Sequence, residues 1–104
     1  MSVRVHFRDV PHSERIRRDC ENSVNGLQEE FPETSKFEIT LTHTGDTHET
    51  HVHVTGKDLE VAAIGQALTL QESVTEALEH TRKQLRKHHD KVIFGRRRNV
   101  NKRA

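Results

Sequence analysis

A single cysteine, Cys20, leaves this chain no internal disulfide, which fits a reducing compartment. Cys20 falls on the apolar stripe of a predicted helix, the place of a buried, inert thiol rather than a nucleophile. Tryptophan and tyrosine are absent, and Phe7, Phe31 and Phe37 sit on stripes expected to be buried, leaving only Phe94. That argues against a sheet face that stacks single-stranded bases on aromatic rings. No stretch approaches the roughly 18 apolar residues of a membrane span, and the start, Met-Ser-Val-Arg-Val-His-Phe-Arg, lacks the apolar core of a secretion signal. A soluble, cytoplasmic protein with no membrane partner is expected. There is no glycine-rich phosphate loop, no nucleophile elbow and no pair of carboxylates on an apolar wall, so neither catalysis, a cofactor nor a small-molecule substrate is expected. A ribonuclease using His12 or His88 is the one enzymatic alternative. Hydrophobic residues make up only 31% of the chain and charged ones 32%, so the core must be small and the helices one-sided.

What the chain does have is a sharp division of charge behind a net charge of only +1. Residues 1–81 carry 7 Lys and Arg against 15 Asp and Glu, a balance of −8, whereas residues 82–104 carry 10 against one, Asp90, a balance of +9. A basic end on an acidic domain is the electrostatic footprint of a phosphate binder, because each neutralised phosphate releases condensed counterions. The plainer explanation is a solvated helix end, with cations near the negative end of the helix dipole and Glu79 paired with Lys83. It does not account for the run Arg96, Arg97, Arg98, which helix stability does not require.

Taken in order, Val3, Val5 and Phe7 alternate with Arg4, His6 and Arg8, the period of a strand with one wet face. After the break at Asp9 to His12, Ser13 caps a helix whose stripe is Ile16, Cys20, Val24, Leu27 and Phe31, and Pro32 stops it. Gly26 inside that helix costs about 1 kcal/mol against Ala, so packing must support it. Phe37, Ile39 and Leu41 mark a second strand, His43 to Thr47 a hairpin connection, and Val52 and Val54 a third strand with His51 and His53 on its other face. Gly56-Lys57-Asp58 turns the chain into a fourth strand, Leu59, Val61 and Ala63, ending near Gly65. Thr-Leu-Gln-Glu at 69–72 is a capping box, and Leu70, Val74, Ala77, Leu78, Thr81, Leu85 and Val92 form the stripe of a second helix.

The order β-α-β-β-β-α predicts an α+β two-layer sandwich: a four-stranded mixed sheet with both helices on one face, burying Val3, Val5, Phe7, Phe37, Ile39, Leu41, Val52, Val54, Leu59, Val61 and Ala63. The strand-helix-strand crossover makes the first two strands parallel if they are neighbours, and the rest form a meander. Residues 1–94 read as one domain and residues 95–104 as a basic tail disordered on its own.

This order, the segment His53-Val-Thr-Gly56 leading into a strand that ends Gly65-Gln66, and the helix ending Arg82-Lys-Gln-Leu-Arg-Lys-His-His-Asp-Lys91 resemble the ribosome hibernation promoting factor and ribosome-associated inhibitor family, over residues 2–93. The resemblance implies a double-stranded-RNA-binding-domain-like fold. It also implies a stress-linked, non-enzymatic factor that binds the small ribosomal subunit, its 16S-type RNA and the 70S ribosome. There it would lie in the channel for messenger and transfer RNA and silence stored ribosomes. Departures are visible: Glu21, Glu29 and Glu30 stand in the first helix where the family carries lysines, and Ala67 and Leu68 look inserted before the second. The short form is the closer comparison, with arginines in place of the inhibitor type's acidic tail.

Structured RNA offers phosphates along narrow channels and is bound mostly by shape and backbone contact, a task for cations on a rigid helix end. The candidate RNA-binding residues are Arg82, Lys83, Arg86, Lys87, His88 and Lys91, then Arg96, Arg97 and Arg98. Arg4 and Arg8 on the wet face of the first strand form a second surface. On a helical wheel Lys83 lies opposite the buried stripe, with Arg86 and Lys87 to either side and Arg82 and Lys91 nearer its edges. Histidines at 88 and 89 would charge below about pH 6.5 and strengthen phosphate binding. His43, His48, His51 and His53 gather around one hairpin, but their spacing matches no known cage, so solvated histidines are expected and no metal. Two alternatives stand beside the ribosome reading: a structured-RNA-binding domain with another target, and a histidine-dependent metal-binding or interaction module.

Overall fold

The computed structural model describes the backbone of residues 2–103 and the side chains of residues 3–89. The elements are β1 (Ser2–Phe7), α1 (Glu14–Glu30), β2 (Thr34–Thr44), β3 (Thr47–Gly56), β4 (Leu59–Ala67) and α2 (Leu70–Arg103), in the expected order. They build one sheet, β1-β2-β3-β4, with β1 parallel to β2 and the other pairs antiparallel. The crossover through α1 permits the parallel pair, while two-residue turns can join only antiparallel neighbours. Gly45 at φ 61° and Asp58 at φ 55° supply the left-handed backbone of those turns, Gly45 because it has no Cβ and Asp58 because its short polar side chain tolerates it. Only Gly45 and Asp46 are needed for the first turn. His43 and Thr44, expected in the connection, pair instead with His48 and Thr47 and lengthen the hairpin.

Alternation puts Phe37, Ile39, Leu41, Val52, Val54, Leu59, Val61 and Ala63 on one buried face of the sheet. Ile16, Cys20, Val24 and Leu27 of α1, with Phe31 just beyond it, close over that face together with Val74, Ala77 and Leu85 of α2. Val3, Val5 and Phe7, expected in the core, are only partly buried, because β1 is an edge strand and lacks a neighbour on one side. Phe7 is therefore not sealed in, and its ring meets the His12 ring edge-on at 4.8 Å between centroids. Leu70 and Leu78 pack on the core margin. Val92, Phe94 and the expected tail lie outside the residues whose side chains are described.

Local chemistry sets the element ends. The Ile16 amide donates to the Ser13 hydroxyl at 3.3 Å and the Glu72 amide to the Thr69 hydroxyl at 3.2 Å, so the Ser13 cap forms and, of the expected capping box, the Thr69 half. At the end of α1 the Phe31 amide still reaches the Leu27 carbonyl at 2.8 Å, and Pro32 has no amide to continue the series. Thr34 then bonds the Phe31 carbonyl through its hydroxyl at 2.8 Å, which starts β2 at once rather than at Phe37.

Gly65 does not end its strand. A Cβ there would collide with the Ser73 carbonyl and the Ala77 amide and lie 2.9 Å from the Ala77 Cα, so the missing side chain is what lets α2 seat its backbone on β4. Beside that contact the Thr50 hydroxyl donates to Ser73 Oγ at 2.8 Å, and Ser73 donates to the Leu70 carbonyl at 2.8 Å, both side chains being fully buried. Farther along α2, His80 Nδ1 donates to the Ile64 carbonyl at 2.8 Å and Gln84 Nε2 to the Ala62 carbonyl at 2.9 Å. These side chains satisfy backbone acceptors on the outer margin of β4, where no further strand pairs.

Candidate RNA interface

The rotation of α2 is fixed by its buried residues Val74, Ala77, Thr81 and Leu85, and everything else on the helix follows from 3.6 residues per turn. His80 and Gln84 fall on the β4 side, where they bond the sheet edge. Arg82, Arg86 and His89, spaced by four and three, fall on the α1 side. Lys83 and Lys87 are left on the outer surface, both exposed.

On the α1 side the cations meet acids. The Glu30 carboxylate accepts from Arg82 Nε at 3.2 Å and from Arg86 Nη2 at 3.0 Å. Burial acts to raise the Glu30 pKa, but the hydrogen bonds from Arg86 and Arg82 outweigh it and hold the group below its ordinary value. One turn on, His89 Nδ1 lies 3.3 Å from Glu33, and its ring meets Phe31 edge-on. Lys83 and Lys87 make no ion pair with any described residue, and the expected Glu79–Lys83 pair does not form. Glu79, Arg82, Lys83 and Arg86 line one shallow depression on the helix surface. Among the described cations of α2, Arg82 and Arg86 therefore share the single carboxylate of Glu30, whereas Lys83 and Lys87 have no described ion-pair partner.

Of the other candidates, His88 is half-buried on α2. Lys91, Arg96, Arg97 and Arg98 lie outside the residues whose side chains are described. Arg4 faces away from the helices, opposite Glu38 in register. Arg8 lies just past β1, in a groove it shares with His6, His12, Glu38 and Thr40. β1 is the far margin of the sheet from β4, which carries α2, so these two arginines form a surface separate from the α2 cations. Glu30, one of the acids that depart from the family's lysines, is also the counterion of two arginines more than 50 residues away, a role the local sequence does not assign it. Nothing in the local pattern announces so distant a pair.

The hairpin histidines separate by face. His43 and His48 face each other with ring centroids 4.7 Å apart. On the opposite face His51 pairs with Glu49 at 2.6 Å and His53 with Glu60 at 3.2 Å. Among the described residues no three His, Cys, Asp or Glu side chains are placed to hold one metal ion. No described helix is long and apolar enough to cross a membrane.

The family model described as Sigma 54 modulation protein / S30EA ribosomal protein matches residues 3–93. The chain belongs to this family. It is the ribosome hibernation family to which the second helix already points, and membership indicates a ribosome-associated protein of the hibernation or interface type. The S30EA family is one of ribosome-binding factors, not known as enzymes. Solved structures share the fold. A ribosomal subunit interface protein from Coxiella burnetii superposes with a TM-score of 0.80 at 17% identity, over 86% of this chain and 99% of that one. The Protein Y N-terminal domain from Thermus thermophilus gives 0.75 at 14% identity, over 85% of this chain and 99% of that one. No curated protein sequence matches. At such low identity these structures share the fold alone.

Proposed function

We propose that this protein is a cytoplasmic, non-enzymatic hibernation factor that binds the small ribosomal subunit, alone and within the 70S ribosome, in the channel for messenger and transfer RNA, and so blocks translation. The observation that carries the reading is the outward pair Lys83 and Lys87 beside Arg82 and Arg86 on one rigid helix, in a chain of the S30EA family. Exposed cations on a helix anchored through Thr81 and Leu85 present charge to phosphates at fixed spacing, which suits shape-based recognition of structured RNA. The relative from Coxiella burnetii is described as a ribosomal subunit interface protein, which supports the same location.

Sedimentation with purified 30S subunits, 50S subunits and 70S ribosomes tests it, with a Lys83/Arg86/Lys87 triple-alanine variant alongside. Near-stoichiometric binding to 30S and 70S but not to 50S, lost in the variant, is expected. Equal weak binding to every RNA would leave a structured-RNA binder without ribosome specificity and would remove the channel from the account.

A further inference from the structure

The acid excess of residues 1–81 is unevenly spread. Residues 1–18 carry five arginines against Asp9 and Glu14, a balance of +3, while residues 19–81 carry 2 Lys and Arg against 13 Asp and Glu, a balance of −11. A second basic stretch therefore lies on β1 and the start of α1, at the margin of the sheet opposite β4.

A groove runs beside β1. Its apolar side is Val5, Phe7 and Val10, all half-buried, and its rim carries the exposed His6, Arg8 and His12. The Arg8 amide donates to the Leu41 carbonyl at 3.0 Å, so this arginine leaves from pinned backbone although it lies past β1. Arg8 has no ion-pair partner among the described residues. The acid in the lining, Glu38, is held by Lys36 at 3.0 Å and leaves Arg8 unopposed.

The His12 ring is fixed from two sides, with Nε2 2.9 Å from Glu14 and the Phe7 ring edge-on at 4.8 Å. Arg17 meets the same Glu14 carboxylate at 3.1 Å and offsets its charge. Tryptophan and tyrosine are absent, yet the half-exposed Phe7 and the exposed His12 still give this margin two rings. A positioned ring beside a free guanidinium suits a ligand that carries both a flat base and a phosphate.

We propose that this groove binds a nucleotide of single-stranded RNA, its base against His12 and Phe7 and its phosphate on Arg8. The surface is separate from the α2 cations and uses neither Lys83 nor Lys87. It stands or falls apart from the small-subunit reading, which the sedimentation of the α2 variant decides.

Amide shifts of the full-length, isotope-labelled protein test it, with single-stranded hexaadenylate as the probe and an abasic ribose-phosphate hexamer of equal charge as the control. Hexaadenylate should move the amides of residues 5–12 and 38–40, and should do so equally in a Lys83→Ala/Lys87→Ala variant. The abasic hexamer should bind there about tenfold more weakly, the share that stacking one base supplies. His12→Ala, at an exposed position, should weaken hexaadenylate about tenfold at an unchanged salt slope, and His12→Phe, which keeps a ring, should restore the affinity. Arg8→Ala should lower the slope of log affinity against log salt by about 0.7, the single-strand value for one phosphate. Equal binding of the two hexamers, a His12→Ala variant as tight as wild type, or shifts confined to α2 would overturn the proposal. Adenosine monophosphate bound as tightly as the hexamer would make the groove a mononucleotide pocket and overturn it equally.

Discussion

The Glu30 carboxylate at the end of α1 meets the Arg86 guanidinium of α2 at 3.0 Å, across 56 residues of sequence. With Arg82 on the same carboxylate, an acid from one helix masks half of the described cations that the other helix presents to solvent.

Replacing Glu30 by Gln should release both arginines and raise affinity for structured RNA. The slope of log affinity against log salt should steepen by about one for each further phosphate that the freed arginines neutralise. A filter-binding salt series measures this, and a weaker-binding variant would mean that Glu30 orients the arginines instead of masking them. Stability should change little, since the pair is largely exposed. Because the folded pKa of Glu30 lies below its ordinary value of 4.5, its contribution is present above that value and is lost as pH falls through the folded pKa. The stability gap between wild type and Glu30→Gln should therefore close in acid, as denaturation at a series of pH values will record.

Lys83→Ala and Lys87→Ala should each lower the same salt slope by about one, because neither lysine has a described counterion to compensate for its loss. Arg82→Ala should lower it less, its charge being partly offset in the free protein by Glu30, which it shares with Arg86.

Two glycines should respond in opposite directions. Gly65→Ala drives a methyl group into the backbone of α2 and should cost at least about 1–3 kcal/mol, as overpacking does. Gly26→Ala enters open space in a helix and should gain up to about 1 kcal/mol. Urea midpoints at constant slope decide both.

The Thr50–Ser73 bond should be asymmetric under mutation. Ser73→Ala strands the buried Thr50 hydroxyl and should cost about 1–3 kcal/mol, whereas Thr50→Val leaves Ser73 bonded to Leu70 and should cost about 1 kcal/mol. Equal losses would mean that water replaces the missing partner.

Burial, aided by the charges of Asp19 and Glu21, pushes the Cys20 thiol up to about 11. A disulfide reagent at pH 8 should leave the folded protein unmodified and react at once when denaturant is added.

Much of this fold is legible in the sequence because its signals are local. The alternation of Phe37, Ile39 and Leu41 and the stripe from Ile16 to Leu27 each follow from the period of one element, and the caps at Ser13 and Thr69 from one turn of chain. What escapes is what depends on a partner distant in sequence. Gly65 reads as a strand end, since nothing nearby reveals that α2 will lie against it. The half-exposure of Phe7 depends on β1 becoming an edge strand, which periodicity does not specify. The candidate site divides in the same way: the wheel places Lys83 outward from its own spacing, while the masking of Arg82 and Arg86 requires knowing where α1 ends.

The bonds from His80 and Gln84 to the β4 backbone bear on how the protein behaves when it is abundant. A sheet margin with free carbonyls is a template on which a strand from a second molecule can add, and repeated addition makes fibres. Here one margin has acceptors occupied by its own helix, and the other is a six-residue strand flanked by Arg8 and Pro11. Both margins of the sheet are thereby poor templates for a strand added from a second molecule.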